Sequence, residues 1–174
     1  MMAPTAASTP DEGRPHGCHR AAARGPQDRR EAVQTGFEKT SDGDRAERRR
    51  IADEVIEELT VHAWVEEKFF YPAARELAPD TTDHILESIE EHHAVVWMLS
   101  EIKDMDPGDE RFKAKMSVLM EQVRHHVEEE EQDWFPEVRK AMGRNRLTEL
   151  GGELEAGKKR APRDPLAVPS SDST

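Results

Sequence analysis

Two segments of this chain repeat the same arrangement of a histidine, a glutamate and a proline. Residues 62–72 read HAWVEEKFFYP, and residues 126–136 read HVEEEEQDWFP. In both segments the glutamate follows the histidine by four residues, aromatic residues come next, and a proline closes the run. Because residues four apart lie one turn above each other on a helix, each segment predicts a helix that presents a histidine and a carboxylate on one face.

The first pair lies on the face where its helix carries apolar residues. A helix is predicted from about Asp44 to Tyr71. Pro72 is expected to kink or end it, because proline has no N–H and its ring clashes with the preceding turn. The inner stripe recurs in steps of three and four residues. Its members are Ile51, Val55, Leu59, His62, Glu66 and either Phe69 or Phe70.

A second helix carries a histidine in the same way. It is predicted to begin near Asp80 or Thr81, either of which suits the N-cap position, and to end at the turn sequence MDPGD. Its inner stripe consists of Ile85, Ile89, His92, Val96, Leu99 and Ile102.

The third helix contains the second copy of the repeat. It is predicted to follow Gly108, with Asp109 as its cap, and to fade towards Gly143. Its inner stripe consists of Phe112, Met116, Leu119, Val123, His126, Glu130 and Trp134. A shorter helix is predicted over residues 146–156. Because the connections are short, we expect an all-α, up-and-down four-helix bundle whose first helix is degenerate or missing.

Composition places this bundle in the middle of the chain. Apolar residues make up 35% of the sequence and charged residues 36%, so the apolar deficit is expected in the tails. Residues 1–40 and 157–174 are rich in Pro, Gly, Arg or Ser and are predicted to be disordered. Residues 41–156 remain as the predicted domain.

Charge and terminal sequence narrow the classes of partner. A net charge of −12 repels nucleic acids and anionic membranes, so neither is expected to bind. The longest strongly apolar run, AVVWML, is too short to span a bilayer, and the N-terminus lacks the apolar stretch of a signal peptide. The lone Cys18 fits a reducing compartment, and we therefore expect a cytoplasmic protein.

Polar residues on the three inner stripes form the candidate metal site. They are His62, Glu66, His92, His126 and Glu130. A bare carboxylate on a buried face either costs several kcal/mol or becomes protonated, and a bound metal ion removes this cost. Carboxylates can bridge two metals while neutral imidazoles serve as terminal ligands. The mixed set without cysteine favours a two-iron site over a structural zinc site.

Each of these residues also has a structural interpretation. A core histidine is commonly held by hydrogen bonds alone, but the matched repeat favours ligation for His62 and His126. Of the adjacent histidines, the phase of the stripe favours His92 over His93, and His125 is expected at the boundary of the site. The other glutamates of the acidic run are expected to form a solvated face: Glu128, Glu129 and Glu131.

A resemblance to the hemerythrin-like, or HHE cation-binding, family rests on three segments, which are ELTVHAWVEEKFFYP, EEHHAVVWML and VRHHVEEEEQDWFP. It covers about residues 44–155 and implies a four-helix bundle of hemerythrin type around a non-haem, oxygen-bridged pair of iron ions. It also implies that the three histidines are terminal ligands and that Glu66 and Glu130 bridge the irons. The family binds O2, senses O2 or iron, or handles NO and peroxide.

The chain departs from the family where the first helix of the bundle belongs. The family normally carries Asp-His-Arg about ten residues before a segment such as FEKT, which occurs here at residues 37–40. The preceding stretch, ARGPQDRREAVQTG, contains no histidine. One hypothesis is a frame error over residues 16–36, because the shifted frame permits a helix with Asp-His-Arg. The other is a truncated bundle in which His16 or His19 substitutes as a ligand.

Three functions are compatible with these residues. The first is a di-iron protein that binds or senses O2, NO or peroxide at a vacant iron position. The second is an enzyme that turns over peroxide or NO at the same centre, with a catalase-like activity as one example. The third is a metal-free helical interaction module, whose stability would not depend on a chelator.

Overall fold

The described part of the chain is entirely helical in its regular structure. The computed structural model describes residue 37, residues 39–40 and residues 43–168. The predicted all-α class is confirmed over these ranges. They contain three long helical columns, but the four-helix bundle is not confirmed, because no additional first helix lies among the described residues. None of the described helices is long and apolar enough to cross a membrane.

Each column is defined by its helical segments. The first column joins α1, a π-helical turn and α2, which are Arg45–Val65, Glu66–Phe70 and Tyr71–Leu77. The second column is α3, Thr82–Asp104, preceded by a short 3-10 turn at Pro79–Thr81. The third column joins α4, a second π-helical turn and α5, which are Phe112–Glu129, Glu130–Trp134 and Phe135–Lys158.

The order of the buried residues shows that successive columns run antiparallel. One apolar cluster unites α1 as far as Leu59, the second half of α3 with Leu99, and α4 as far as Val123. A second cluster unites α2, the start of α3 and the start of α5, with Ile85 and Val138 among its members. The candidate site residues fall between these clusters in all three columns.

The predicted inner stripes match the buried residues closely. Every predicted stripe residue of the third column from Phe112 to Trp134 is buried. In α3 the prediction of Val96 is wrong, because Val95 is the buried residue and Val96 is only half-buried. The stripe steps by three residues from His92 to Val95, so it stays in phase with Leu99.

Both prolines of the repeat follow a π-helical turn rather than a helix end. The amide of Tyr71 donates to the carbonyl of Glu66, five residues earlier, and the amide of Phe135 donates to the carbonyl of Glu130 in the same way. A proline ring clashes with the carbonyl four residues before it, and the wider turn lets the helix continue past that point. At Pro72, where the sequence predicted a kink or an end, the helix does not end but continues with a change of register.

The segment FEKT anchors the start of the described chain. Phe37 is buried, and its ring lies 6.2 Å from that of Phe112, centroid to centroid. The Thr40 hydroxyl donates to the Phe37 carbonyl at 2.7 Å and accepts from Nε of Arg48 at 3.3 Å. The predicted disorder of residues 1–40 thus does not extend to Phe37 and Thr40. The frame-error hypothesis concerns residues 16–36, which lie outside the described residues.

The end of the described chain packs back on the bundle. Gly143 adopts a positive φ of 67° and breaks α5, and the part that follows contacts α1 and α2. The sequence predicted a helix over residues 146–156 and a disordered tail from residue 157. The structure instead continues the helix to Lys158 and describes packed chain as far as Val168, with Ala161 buried beside Val61.

Candidate metal centre

The three columns bring all five predicted site residues together. His62 lies in the last turn of α1 and Glu66 begins the first π-turn, whereas His92 lies in the middle of α3. His126 lies near the end of α4 and Glu130 begins the second π-turn. Ligand atoms of His62, Glu66, His92 and His126 lie within 4.8 Å of one another, which makes them a group that could hold a metal ion.

Glu66 lies at the centre of the cluster. Its Oε2 is 3.2 Å from Nε2 of His62 and 3.6 Å from Nε2 of His92. The Nε2 atoms of His92 and His126 are 3.1 Å apart. Oε2 of Glu130 lies 3.6 Å from Nε2 of His126. One ring nitrogen of each histidine is thus close to at least one of the two carboxylates.

The outer nitrogens of two histidines contact carboxylates. Nδ1 of His92 lies 3.1 Å from Oε1 of Glu67, and Nδ1 of His126 lies 2.7 Å from Oε2 of Glu91. Because an ionised carboxylate only accepts hydrogen bonds, each Nδ1 carries the proton and donates it. In both rings Nε2 faces the interior of the cluster, which is the orientation that metal ligation needs.

A buried tyrosine completes the polar cluster. The Tyr71 hydroxyl donates to Oε1 of Glu130 at 3.0 Å, and it lies 3.4 Å from Nε2 of His92 and 3.5 Å from Oε2 of Glu66. Burial raises the pKa of this hydroxyl well above its ordinary value, and the nearby carboxylates of Glu66 and Glu130 raise it further. The phenol therefore keeps its proton at neutral pH.

The site is more deeply buried on one side than on another. The side chains of His92 and Glu130 are each 3% exposed, whereas those of His62 and Glu66 are 19% and 15% exposed. Aromatic rings close the α2 end, where Trp134 packs 5.9 Å from Tyr71 between ring centroids. The α1 side is therefore the less deeply buried side of the site.

The other histidines and glutamates of the motifs lie outside the cluster. His93 is partly exposed and faces Glu90, so the structure places His92 and not His93 at the site. His125 was expected at the boundary of the site, but its side chain is 64% exposed and faces Glu129. Glu128 and Glu131 are exposed, in agreement with the predicted solvated face, and Glu129 is half-buried.

Three members of the polar cluster were missed in the sequence. Tyr71 follows Glu66 by five residues, and an α-helical period pointed to Phe69 or Phe70 instead. The π-turn inserts the extra residue that brings Tyr71 inward, and Pro72 was the available signal for it. Glu67 directly follows Glu66, and Glu91 directly precedes His92. Only the packing of the first column on α3, and of α3 on α4, brings these two glutamates to their histidine partners.

The donor set fits a first-row transition metal. Imidazole nitrogens and carboxylate oxygens both suit iron, manganese or zinc, and no cysteine lies among the described residues. The Nε2 atoms of His92 and His126 lie 3.1 Å apart, a separation that either a proton on one nitrogen or a cation between the two rings favours. The arrangement therefore supports a metal site, while the identity and number of the ions are separate questions.

Comparisons with known proteins agree with a cation site. The family model described as the hemerythrin HHE cation binding domain matches residues 16–138. A protein named DNA nickase, from Nostoc sp. (strain PCC 7120), is 27% identical over 105 residues. Those residues cover 60% of this chain and 29% of the nickase, so the chain spans less than a third of that relative. No solved structure matches the chain.

Proposed function

This chain belongs to the hemerythrin HHE cation binding domain family, and from that premise we propose that it is a non-haem di-iron protein that binds or senses O2 or a related small molecule, such as NO or peroxide. We further propose a cytoplasmic location, because a single cysteine suits a reducing compartment.

One observation carries the metal part of this proposal. His92 and His126 each give the Nδ1 proton to a carboxylate and direct Nε2 inward, where the two nitrogens lie 3.1 Å apart. A metal ion that takes both Nε2 atoms as ligands accounts for their close approach and for the two outer hydrogen bonds together. The arrangement has the pattern of metal ligands whose orientation is fixed by outer hydrogen bonds.

The proposed roles follow the positions of the side chains. His62, His92 and His126 serve as terminal ligands. Glu66 lies between His62 and His92, which suits it to bridge two ions, and Glu130 ligates beside His126. Bound iron ions supply redox chemistry and an open coordination position for a small ligand. The partly exposed side of His62 and Glu66 is the route by which that ligand reaches the site.

A di-iron enzyme that turns over peroxide or NO is the second candidate, since it needs the same ligands and the same route. The metal-free interaction module is disfavoured by the facing Nε2 atoms of His92 and His126. We do not extend the activity named for the Nostoc relative to this chain. The net charge of −12 on this chain would repel the phosphates of DNA.

Metal loading of the purified chain tests the proposal. The chain is incubated anaerobically with Fe(II), desalted and analysed for metal content, and we expect about two irons per chain for a di-iron centre. Neighbouring histidines offer a matched pair of variants, because His126 lies in the cluster and His125 is exposed. His126→Ala should lose iron and His125→Ala should keep it. Equal iron content in both variants would contradict the proposed centre.

Exposure of the loaded protein to small molecules then separates the two candidates. A spectral change on adding O2 that reverses under vacuum supports a binding or sensing role. Rapid and sustained O2 release after addition of peroxide supports the enzyme. Loss of either response in His126→Ala, but not in His125→Ala, assigns the response to this centre.

A further inference from the structure

The chain contains one tyrosine, and the fold places it inside the proposed metal centre. Tyr71 is 2% exposed and lies five residues after Glu66, at the end of the first π-turn. The corresponding residue of the second repeat, five after Glu130, is Phe135. At this position of the repeat, the two copies therefore differ by a single hydroxyl group.

That hydroxyl has one proton and several possible acceptors. Its shortest contact is 3.0 Å to Oε1 of Glu130, compared with 3.4 Å to Nε2 of His92 and 3.5 Å to Oε2 of Glu66. The proton is best placed for Glu130, because hydrogen bonds between two oxygens are strongest below about 3.0 Å. The other oxygen of this carboxylate, Oε2, is the one that approaches His126.

We propose that Tyr71 is a positioning residue of the metal centre, which binds Oε1 of Glu130 and so presents Oε2 to the metal held by His126. This inference rests on the proposed metal-binding function. The role of Tyr71 makes the proposed centre asymmetric. Oε2 of Glu66 lies between two histidines, whereas Oε1 of Glu130 accepts a hydrogen bond from the phenol. Tyr71 acts through Glu130 and does not itself ligate.

The variant Tyr71→Phe removes only the hydroxyl. A phenyl ring at this point of the repeat is already accommodated in the second copy, as Phe135, so the helix and its π-turn should form. As a matched control, Thr81→Val removes another buried hydroxyl, which donates to the carbonyl of Ala78 at 2.8 Å and lies outside the cluster. Urea unfolding without metal checks that both variants fold.

Cobalt(II) is a suitable probe, because its visible absorption reports the ligand geometry. We expect Tyr71→Phe to bind Co(II) about 10- to 100-fold more weakly than the wild type, as is typical when a hydrogen bond to a ligand is lost. Its Co(II) spectrum should also change in shape, which a loss of folding stability alone would not produce. Thr81→Val should keep the affinity and the spectrum of the wild type.

The ferric wild-type protein provides a second measurement, which does not depend on any variant. A tyrosine that ligates iron directly gives an intense phenolate-to-iron absorption band, and we expect no such band. Its presence would overturn the positioning role. The same conclusion would follow if Tyr71→Phe bound Co(II) with unchanged affinity and spectrum.

These outcomes separate the two proposals. If the wild type binds neither Co(II) nor Fe(II), the proposed metal-binding function fails, and the role of Tyr71 fails with it. If the wild type binds both metals and Tyr71→Phe behaves identically, the metal centre stands and only the positioning role is refuted.

Discussion

Replacing Glu130 by glutamine should raise the stability of the metal-free protein and reduce the stability that the protein gains from bound metal. The side chain of Glu130 is 3% exposed, so its charge has lost nearly all contact with water. The effective cost of burying an ion is several kcal/mol even after the protein relaxes. Glutamine has nearly the same shape and retains an oxygen that can accept the hydrogen bond from Tyr71.

The magnitude follows from two opposing effects. A hydrogen bond to a neutral acceptor is worth about 1 kcal/mol less than one to a charged acceptor, and this loss offsets part of the desolvation cost that glutamine avoids. We expect the free energy of unfolding without metal to rise by about 1–3 kcal/mol. With a urea slope of about 2 kcal/mol per M, the midpoint should rise by about 0.5–1.5 M.

With metal present, the variant forgoes about 2.3 kcal/mol of stabilisation per site, which offsets most or all of its advantage without metal. A metal at a hundredfold excess over its Kd stabilises the wild type by about 2.7 kcal/mol per site, whereas a variant with a hundredfold weaker affinity gains only about 0.4 kcal/mol. Urea unfolding in EDTA measures the stability without metal, and urea unfolding in excess Co(II) measures the stability with metal. Glu131→Gln is the control, because Glu131 is exposed and its change should stay within about 0.5 kcal/mol in both conditions.

The reasoning would be refuted by one pattern of results. If Glu130→Gln destabilised the metal-free protein by more than about 1 kcal/mol and still gained as much from Co(II) as the wild type, Glu130 would be a structural acceptor rather than a ligand. An unchanged response of both variants to Co(II) would also remove Glu130 from the ligand set.

Three further predictions concern the fold around the site. Gly157→Ala should lower the free energy of unfolding by about 1–3 kcal/mol, because the added methyl group would lie 2.6 Å from Cε2 of Phe69. Gly152→Ala is the control and should be neutral or stabilising, because its methyl group meets nothing within 4 Å. Equal melting temperatures of the two variants would contradict this prediction. Phe37→Ala should cost about 3–5 kcal/mol in urea unfolding, and a loss below 1 kcal/mol would mean that FEKT is not part of the core. Lys103 and the amide of Leu166 lower the pKa of Asp164, so Lys103→Ala should raise it, as followed by NMR titration. Because the pKa of Asp164 is lower in the folded than in the unfolded chain, its contribution to stability is present at neutral pH and disappears as the pH falls through the folded pKa. An unchanged titration of Asp164 in Lys103→Ala would show that the Lys103–Asp164 pair does not form in solution.

Much of the fold could be predicted because the apolar residues keep a helical period. The stripe of the third column was predicted without error from Phe112 to Trp134, since strong periodicity fixes which face is buried. The miss at Val96 has a simple cause, because both Val95 and Val96 are apolar and either fits a step of three or four from His92. Burial alone decides between them, and burial depends on the neighbouring columns.

The candidate site could be predicted only where its residues share a helix. His62 with Glu66, and His126 with Glu130, are visible as pairs because four residues make about one turn. Glu67 and Glu91 meet their histidines across helices, at sequence separations of 25 and 35 residues. No local pattern encodes such a contact. In a run such as EEEE, the buried member can be named only from the phase of its helix.

The two π-turns explain why one repeated sequence produces two different half-sites. Each turn begins at a glutamate of the proposed ligand set and ends two residues before a proline, so the backbone departs from α-helical geometry at that carboxylate. A π-turn is less favourable than an α-turn and persists where surrounding contacts stabilise it. In the first repeat those contacts include the hydroxyl of Tyr71, which reaches across to Glu130 of the second repeat. Phe135 has no hydroxyl and therefore makes no such hydrogen bond. The Tyr71 hydroxyl therefore links the first repeat to the carboxylate of the second, and this bond is one source of asymmetry between the two copies.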